Sequence, residues 1–93
     1  MRAVLIEVNV AGVDLEAGLQ AIRGQLVPAI RGMPGFRSGT WLTGNEQGLG
    51  LSLTLWDSDE HATAFAARFG VGANPQASAV IERCELREIA ATA

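Results

Sequence analysis

Alternating apolar and polar positions predict four β-strands. Each run is rich in apolar, β-branched or aromatic residues, and glycine, proline or asparagine separates it from the elements beside it along the chain. The predicted strands cover residues 2–10, 36–43, 49–56 and 79–89. The first is apolar on both of its faces, which is typical of a strand in the centre of a sheet. The last is heavily charged on the face that contains Ile81, Arg83, Glu85 and Arg87, which is typical of an edge strand.

Apolar residues at steps of three or four predict a first helix. This helix begins at the cap residue Asp14 and ends near Gly32. Pro28 lies inside it and should kink it, because proline removes one backbone donor. One continuous apolar stripe follows the helix and consists of Leu15, Leu19, Ile22, Leu26, Ile30 and Met33.

A second helix follows the third strand. It begins at Asp57 or Ser58, runs to about Phe69 and is followed by a loop over residues 70–75. The order of elements is therefore strand, helix, strand, strand, helix, strand. This order predicts one α+β domain over residues 1–93, with a ferredoxin-like βαββαβ fold and both helices on one face of a four-stranded antiparallel sheet.

The hairpin between the second and third strands decides which side chains share a face of the sheet. Pairing Thr43 with Leu49 places Trp41 on the face with the alternating leucines, and Phe36 opposite Trp56. A slip of one residue would exchange the two faces. We expect the leucine face to meet the helices. The opposite face, which carries Trp56, then needs another cover, and pairing two such sheets through it predicts a homodimer.

Composition excludes several classes of partner and site. The net charge is −3 and all seven basic residues are arginines, so no basic patch suited to nucleic acid is expected. The apolar run from Ala3 to Ile6 is too short to cross a membrane and has no signal-peptide pattern. A single cysteine, Cys84, suits a reducing compartment, so we expect a cytoplasmic protein. One histidine and one cysteine cannot supply a zinc site, so no metal is expected.

Two longer segments resemble a known superfamily. They are MPGFRSGTWL (33–42) and, after a glycine-closed hairpin, LSLTLWDSDEHATAF (51–65). These segments look like the dimeric α/β-barrel superfamily, and within it the chain is similar to the antibiotic-biosynthesis-monooxygenase-like domains. The resemblance covers nearly the whole chain and implies a homodimer.

The resemblance also implies an activity. In the monooxygenases it points to, oxygen reacts with a phenolic or anthrone-type substrate without metal or flavin, in a pocket between the sheet and the helices. An asparagine and a tryptophan line that pocket, and Asn9 and Trp56 occupy the matching positions here. Haem-degrading relatives place their ligand histidine later in the second helix, where this chain has alanines, Arg68 and Phe69. No cofactor is therefore expected.

The three candidate site residues, Asn9, Trp56 and His61, each have a structural interpretation as well. Asn9 could donate a hydrogen bond to a substrate oxyanion, or form the turn after its strand. Trp56 could stack on a planar substrate. If Asp57 is the N-cap, however, Glu60 completes a capping box, and Trp56 and His61 become the hydrophobic-staple pair. His61 could act as a general base or lie on a solvated helix surface.

Two hypotheses about function follow. The first is a small homodimeric α/β-barrel protein that binds a hydrophobic or aromatic small molecule and acts as a cofactor-independent monooxygenase. The second is a non-catalytic dimerising or ligand-binding module whose core is filled by its own leucines and phenylalanines. An open cavity beside Trp56 would favour the first hypothesis.

Overall fold

The computed structural model of the chain describes residues 1–72 and 79–93. The predicted order of strands and helices is confirmed. The last part of the predicted loop, residues 73–75, lies outside the described residues. The elements are β1 (Arg2–Asn9), α1 (Leu15–Ala21), a π-helical segment (Ile22–Leu26), α2 (Val27–Arg31), β2 (Phe36–Leu42), β3 (Leu49–Trp56), α3 (Asp59–Arg68) and β4 (Val80–Glu88).

The four strands form one antiparallel sheet in the order β2-β3-β1-β4. The predicted central position of the first strand and the edge position of the last are both confirmed. With α1, the π-helical segment and α2 forming one continuous helix and α3 a second, the chain has the α+β, ferredoxin-like arrangement that its sequence predicts.

The first helix is interrupted where proline was expected to disturb it. The N–H of Val27 donates to the carbonyl of Ile22, five residues back, which is the hydrogen bond of a π-helix. Pro28 has no N–H, and in a regular α-helix its ring would crowd the carbonyl of Gly24. The wider π-helical turn relieves that crowding, so the predicted kink takes the form of a π-helical segment.

The hairpin register differs from the predicted one by one residue over most of its length. Phe36 pairs with Trp56 as predicted, but a bulge between Phe36 and Ser38 shifts the rest, so that Trp41 pairs with Ser52. The prediction that Trp41 shares a face with the leucines is therefore wrong. Trp41 lies on the same face as Trp56, above Gly39, where any side chain would collide with its ring.

The leucine face was also assigned to the wrong side of the sheet. The helices pack on the face that carries Trp56, which is 1% exposed and stacks on Phe65 of α3. The small residues Gly50, Ser52 and Thr54 on that face leave room for the aromatic rings and the helices. The opposite face, here called the open face, carries Leu5, Leu42, Leu51, Leu53, Leu55 and Val80.

A second irregularity changes the predicted faces of β4. The pairing of β1 with β4 shifts between Glu7 and Val8, so that Ile81 lies opposite Val8. Ile81 is 1% exposed and belongs to the core under the helices. The prediction that grouped Ile81 with the charged face is wrong, because the bulge moves it across the sheet. Arg83 and Arg87 remain on the open face, where both pair with Glu85.

Candidate functional site

A cavity of about 60 Å³ lies between the sheet and the helices. We call it the inter-layer cavity. Its lining is almost entirely apolar, and the π-helical segment contributes Ile22 and Leu26 to it. Because π-helical turns often occur at functional sites, this position favours a role in ligand binding. The other principal lining residues are Ile6, Val8, Ile30, Trp41, Ser52, Phe65, Phe69 and Ile81.

A cleft of about 220 Å³ adjoins the inter-layer cavity. It lies between α1 and the turn that joins β2 to β3, and it has Leu15 and Leu19 on one side and Thr43 on the other. Val10 and Ile22 line both spaces. The two volumes together approach the ~300 Å³ at which small-molecule pockets begin. The cleft is therefore placed to serve as an entrance to the inter-layer cavity.

Ser52 is the hydroxyl-bearing residue of the inter-layer cavity. It is 7% exposed, and within the described part of the chain its hydroxyl takes part in no side-chain hydrogen bond. Because the hydroxyl oxygen is unpaired but not fully enclosed, a ligand can reach it. Ser52 is therefore suited to hydrogen-bond a ligand that enters the cavity.

Trp56 lies in the core rather than at the inter-layer cavity. Its ring stacks on Phe65 at 4.7 Å and meets the edge of Phe36 at 5.6 Å. Its indole N–H donates to the hydroxyl of Thr54 at 2.9 Å. Phe65 lines the inter-layer cavity, so Trp56 supports the cavity wall from behind.

Trp56 and His61 do come together, at a different cavity. This second cavity has a volume of about 110 Å³ and is here called the His61 cavity. It is lined by Met33, Pro34, Trp56, His61, Ala64, Phe65 and Arg68. Two of the three candidate site residues therefore share one cavity.

The start of α3 differs from the predicted capping box. Ser58, not Asp57, is the N-cap, and its hydroxyl accepts a hydrogen bond from the backbone N–H of His61 at 3.2 Å. The helix therefore begins one residue later, and His61 rather than Glu60 takes the N3 position. Asp57 does not cap the helix, and its carboxylate lies 2.7 Å from Nδ1 of His61.

The contact between Asp57 and His61 affects the acidity of the carboxyl group. The hydrogen bond from His61 lowers the pKa of Asp57, and the charges of His61 and Arg37 act in the same direction. Asp57 thus remains a carboxylate that fixes one nitrogen of the imidazole ring. Carboxylates hold histidines in this way in many proton-transfer and binding sites.

Asn9 lies away from both cavities. Its amide donates to Glu82 at 3.2 Å, and its carbonyl oxygen accepts from the backbone N–H of Ala11 at 3.1 Å. The second bond is that of an asparagine that forms a turn. Asn9 pairs with Leu49 and Arg2 pairs with Trp56, so Asn9 and Trp56 lie at opposite ends of the strand pair and on opposite faces.

Sequence reasoning did not identify Ser52, Trp41 or Phe69 as candidate site residues. Their common position beside one cavity depends on the bulge in β2 and on the choice of sheet face. A hydroxyl residue in a strand gave no separate signal, because Ser52 and Thr54 alternate with leucines in a regular strand pattern.

Comparisons with known proteins add no assignment. No protein-family model, curated protein or solved structure matches the chain. Across residues 1–72 and 79–93, no three histidine, cysteine, aspartate or glutamate side chains are grouped as metal ligands. In the same residues, no helix is long and apolar enough to cross a bilayer.

Proposed function

We propose that the chain is an antibiotic-biosynthesis-monooxygenase-like member of the dimeric α/β-barrel superfamily, which binds a hydrophobic or aromatic small molecule in the inter-layer cavity. The observation that carries this proposal is an apolar cavity, with one hydroxyl group from the largely buried Ser52, that adjoins an open cleft. An apolar lining with few polar groups is typical of small-molecule sites. The sequence resemblance supports the same location for a ligand.

The proposed reaction is cofactor-independent oxygenation of an electron-rich phenol or anthrone. The methylene carbon of the anthrone loses two hydrogens and gains one oxygen atom of O₂ as a carbonyl, and the second oxygen atom leaves as water. The substrate reacts as its enolate or phenolate, whose proton passes to solvent water before binding and is regained in the water formed. Ser52 then donates a hydrogen bond to the oxyanion, and the apolar walls exclude bulk water and strengthen that bond.

A homodimer through the open face forms part of the proposal. Leu53 lies near the middle of this face and is 43% exposed, and Leu42 is 55% exposed. Exposed leucines on a sheet face are costly in water, and a second copy of the same face would cover them. The predicted dimer is thus retained, but through the leucine face, because the helices cover the face that carries Trp56.

The alternative function is a non-catalytic dimerising or ligand-binding module. The observation that favours it is the small volume of the inter-layer cavity, about 60 Å³, against roughly 150 Å³ for a protein cavity that holds benzene. Under this alternative, isoleucines and phenylalanines fill the space, and no planar substrate enters unless the helices move.

Oxygen uptake with an anthrone substrate tests the enzymatic proposal. Ser52→Ala removes the hydroxyl and should lower kcat by a factor of about 10². Thr63→Ala, which removes an exposed hydroxyl from α3, is the control and should leave kcat unchanged. Wild-type uptake equal to the buffer rate would refute the oxygenase and leave the alternative. Asn9→Ala in the same assay tests the predicted role of Asn9.

Sedimentation measurements test the dimer. We expect twice the 9.8 kDa chain mass at micromolar concentration for the wild type. Leu53→Glu should shift the mass to that of the monomer, because each copy would bury an unpaired charge in the interface. Glu82→Gln, an exposed change on the edge strand, serves as the control. A wild-type monomer at micromolar concentration would refute this part of the proposal.

A further inference from the structure

The local fold holds the side chain of His61 in a fixed orientation. The backbone N–H of Asp57 donates to the carbonyl of Gly35 at 2.9 Å, which ties the end of β3 to the residue before β2. Gly35 has φ of +83°, and a side chain there would collide with both Asp57 and His61. The carboxylate of Asp57 then holds Nδ1 at 2.7 Å, and the hydroxyl of Ser58 lies 3.2 Å from the same nitrogen.

This arrangement leaves Nε2 of His61 for another partner. Nδ1–H donates to Asp57, and within the described residues Nε2 makes no hydrogen bond. The side chain is about 39% exposed, so a ligand can reach it. Once the ring is protonated, Nε2–H is a donor, and the carboxylate of Asp57 stabilises the imidazolium from the other side.

Arg68 supplies a second cationic group at the same cavity. His61 and Arg68 are seven residues apart on α3, which places them on one side of the helix, two turns apart. Both line the His61 cavity. In the described part of the chain, Arg68 has no carboxylate within salt-bridge distance. A guanidinium group without a carboxylate partner, beside a histidine, favours an anionic ligand.

The rest of the cavity wall is apolar. Met33, Pro34, Ala64 and Phe65 provide it, and the volume is about 110 Å³. A ring attached to a single acidic group therefore matches the site better than an inorganic anion does. Asp57 lies just before α3, and Asp59 and Glu60 lie in its first turn; their charges disfavour a second carboxylate on the ligand.

We propose that His61, Asp57 and Arg68 form a binding site for a small monocarboxylate with an apolar body. Arg68 pairs with the carboxylate, Nε2–H of His61 donates to it, and the apolar wall contacts the body of the ligand. No bond is made or broken. This site is separate from the inter-layer cavity, and Phe65 lies between them as a residue that lines both.

Binding at this site should depend on pH. Another charged group that acts on Asp57 is Arg37 from β2, while the neighbouring Asp59 pairs with Arg2 of β1. Because only the imidazolium donates from Nε2, affinity for the carboxylate should be lower when the ring is neutral than when it is protonated.

Nuclear magnetic resonance with benzoate as the probe tests the proposal. His61 is the only histidine of the chain, so its imidazole Cε1–H signal reports on this site alone. At constant pH near 6, we expect this signal to shift and saturate with Kd on the order of 1 mM, the range of a weak, solvent-accessible site. Arg68→Gln should weaken benzoate binding by about tenfold or more, since a charge-assisted pair is lost.

Three controls separate binding in the His61 cavity from binding elsewhere on the chain. Arg23→Gln removes an exposed helical arginine away from the cavity and should leave benzoate affinity unchanged. Ala64→Leu fills the cavity from an exposed helix position and should abolish binding without unfolding the chain. Benzyl alcohol, which has the ring but no charge, should leave the His61 signal in place.

Several results would overturn the proposal. They are an unshifted His61 signal at saturating benzoate, equal affinity in wild type and Arg68→Gln, equal losses in Arg68→Gln and Arg23→Gln, or a response to benzyl alcohol equal to that of benzoate. The imidazole signal of Arg68→Gln, recorded without ligand, shows whether that variant keeps the Asp57–His61 pair, so loss of folding is not mistaken for loss of binding.

Discussion

The hydrogen bond between Trp56 and Thr54 offers a direct test of the core beneath the helices. Thr54→Val keeps the shape of the side chain and removes the oxygen that accepts from the indole N–H at 2.9 Å. Thr54 is 0% exposed and Trp56 is 1% exposed, so water cannot replace that oxygen. The other bond of the Thr54 hydroxyl, to the carbonyl of Val4, is long at 3.5 Å and contributes little.

The expected loss of stability follows from the indole N–H of Trp56, which Thr54→Val leaves without an acceptor. Leaving a buried N–H without a partner costs about 1–3 kcal/mol, so Thr54→Val should lower the free energy of unfolding by that amount. A chain of this length has a total stability of about 5–14 kcal/mol, so the variant should still fold. Urea unfolding followed by far-UV circular dichroism measures the change and does not depend on tryptophan fluorescence, which the second variant would alter.

A double-mutant cycle separates the hydrogen bond from packing. Trp56→Phe removes the donor, and in that background Thr54→Val no longer leaves an unpaired N–H. The cost of Thr54→Val should then decrease by about 1 kcal/mol or more. Equal costs of Thr54→Val in the two backgrounds, within about 0.3 kcal/mol, would refute the reasoning.

Two other predictions concern glycine positions and pH. Gly24→Ala should raise the free energy of unfolding by about 0.5–1 kcal/mol, since a methyl group there meets no atom, whereas Gly18→Ala crowds Val13 and should give no gain. Equal gains in urea unfolding would contradict this difference. The hydrogen bond from His61 lowers the pKa of Asp57, so the unfolded chain binds more protons at acid pH. The ionised Asp57 carboxylate stabilises the folded chain fully above the ordinary carboxyl pKa of 3.8. This stabilisation is lost as the pH falls through the lowered pKa of Asp57 in the folded chain. Asp57→Asn should therefore flatten the loss of stability below about pH 4, and an unchanged acid dependence would contradict this.

The order and bounds of the elements could be predicted because each has a local cause in the sequence. Leu49 and Trp56 bound β3 in the structure as in the prediction, and Gly32 is the C-cap of α2 as expected. These features depend on alternation, glycine and proline within a few residues. The π-helical segment also follows from a local cause, the missing N–H of Pro28, although its exact hydrogen-bond pattern does not.

The candidate site was harder to predict because it depends on two bulges. A bulge after Phe36 moves Trp41 to the helix side, and a bulge at Glu82 of β4, between Ile81 and Arg83, moves Ile81 to the same side. Neither bulge has a separate sequence signal that fixes its position. By contrast, the meeting of Trp56 and His61 follows from the short connection between β3 and α3, which the sequence does show.

The choice of sheet face needs a volume argument that alternation alone does not supply. Residues alternate regularly between the two faces of β3, so the alternation does not indicate which face the helices pack against. The face with Gly50, Ser52 and Thr54 has the small residues, and only such a face can accept large rings from β2 and α3 at helix-to-sheet distance. Trp56 and Phe65 stack in that space. The β3 side chains that point the other way, including Leu53, therefore lie on the open face.

The helices cover the opposite sheet face from the predicted one, and this strengthens the argument that a second copy of the chain covers the open face. The face that the sequence pattern assigns to the dimer is small and partly polar, whereas the face that is open in the structure carries leucine on the two central strands at Leu5, Leu51, Leu53 and Leu55. Burying a half-exposed leucine stabilises by roughly 1 kcal/mol, and two-fold symmetry counts each such residue twice. A dimer formed through this face should therefore associate with a large negative heat-capacity change, the sign of apolar burial, and Leu53→Glu should remove that signal together with the dimer.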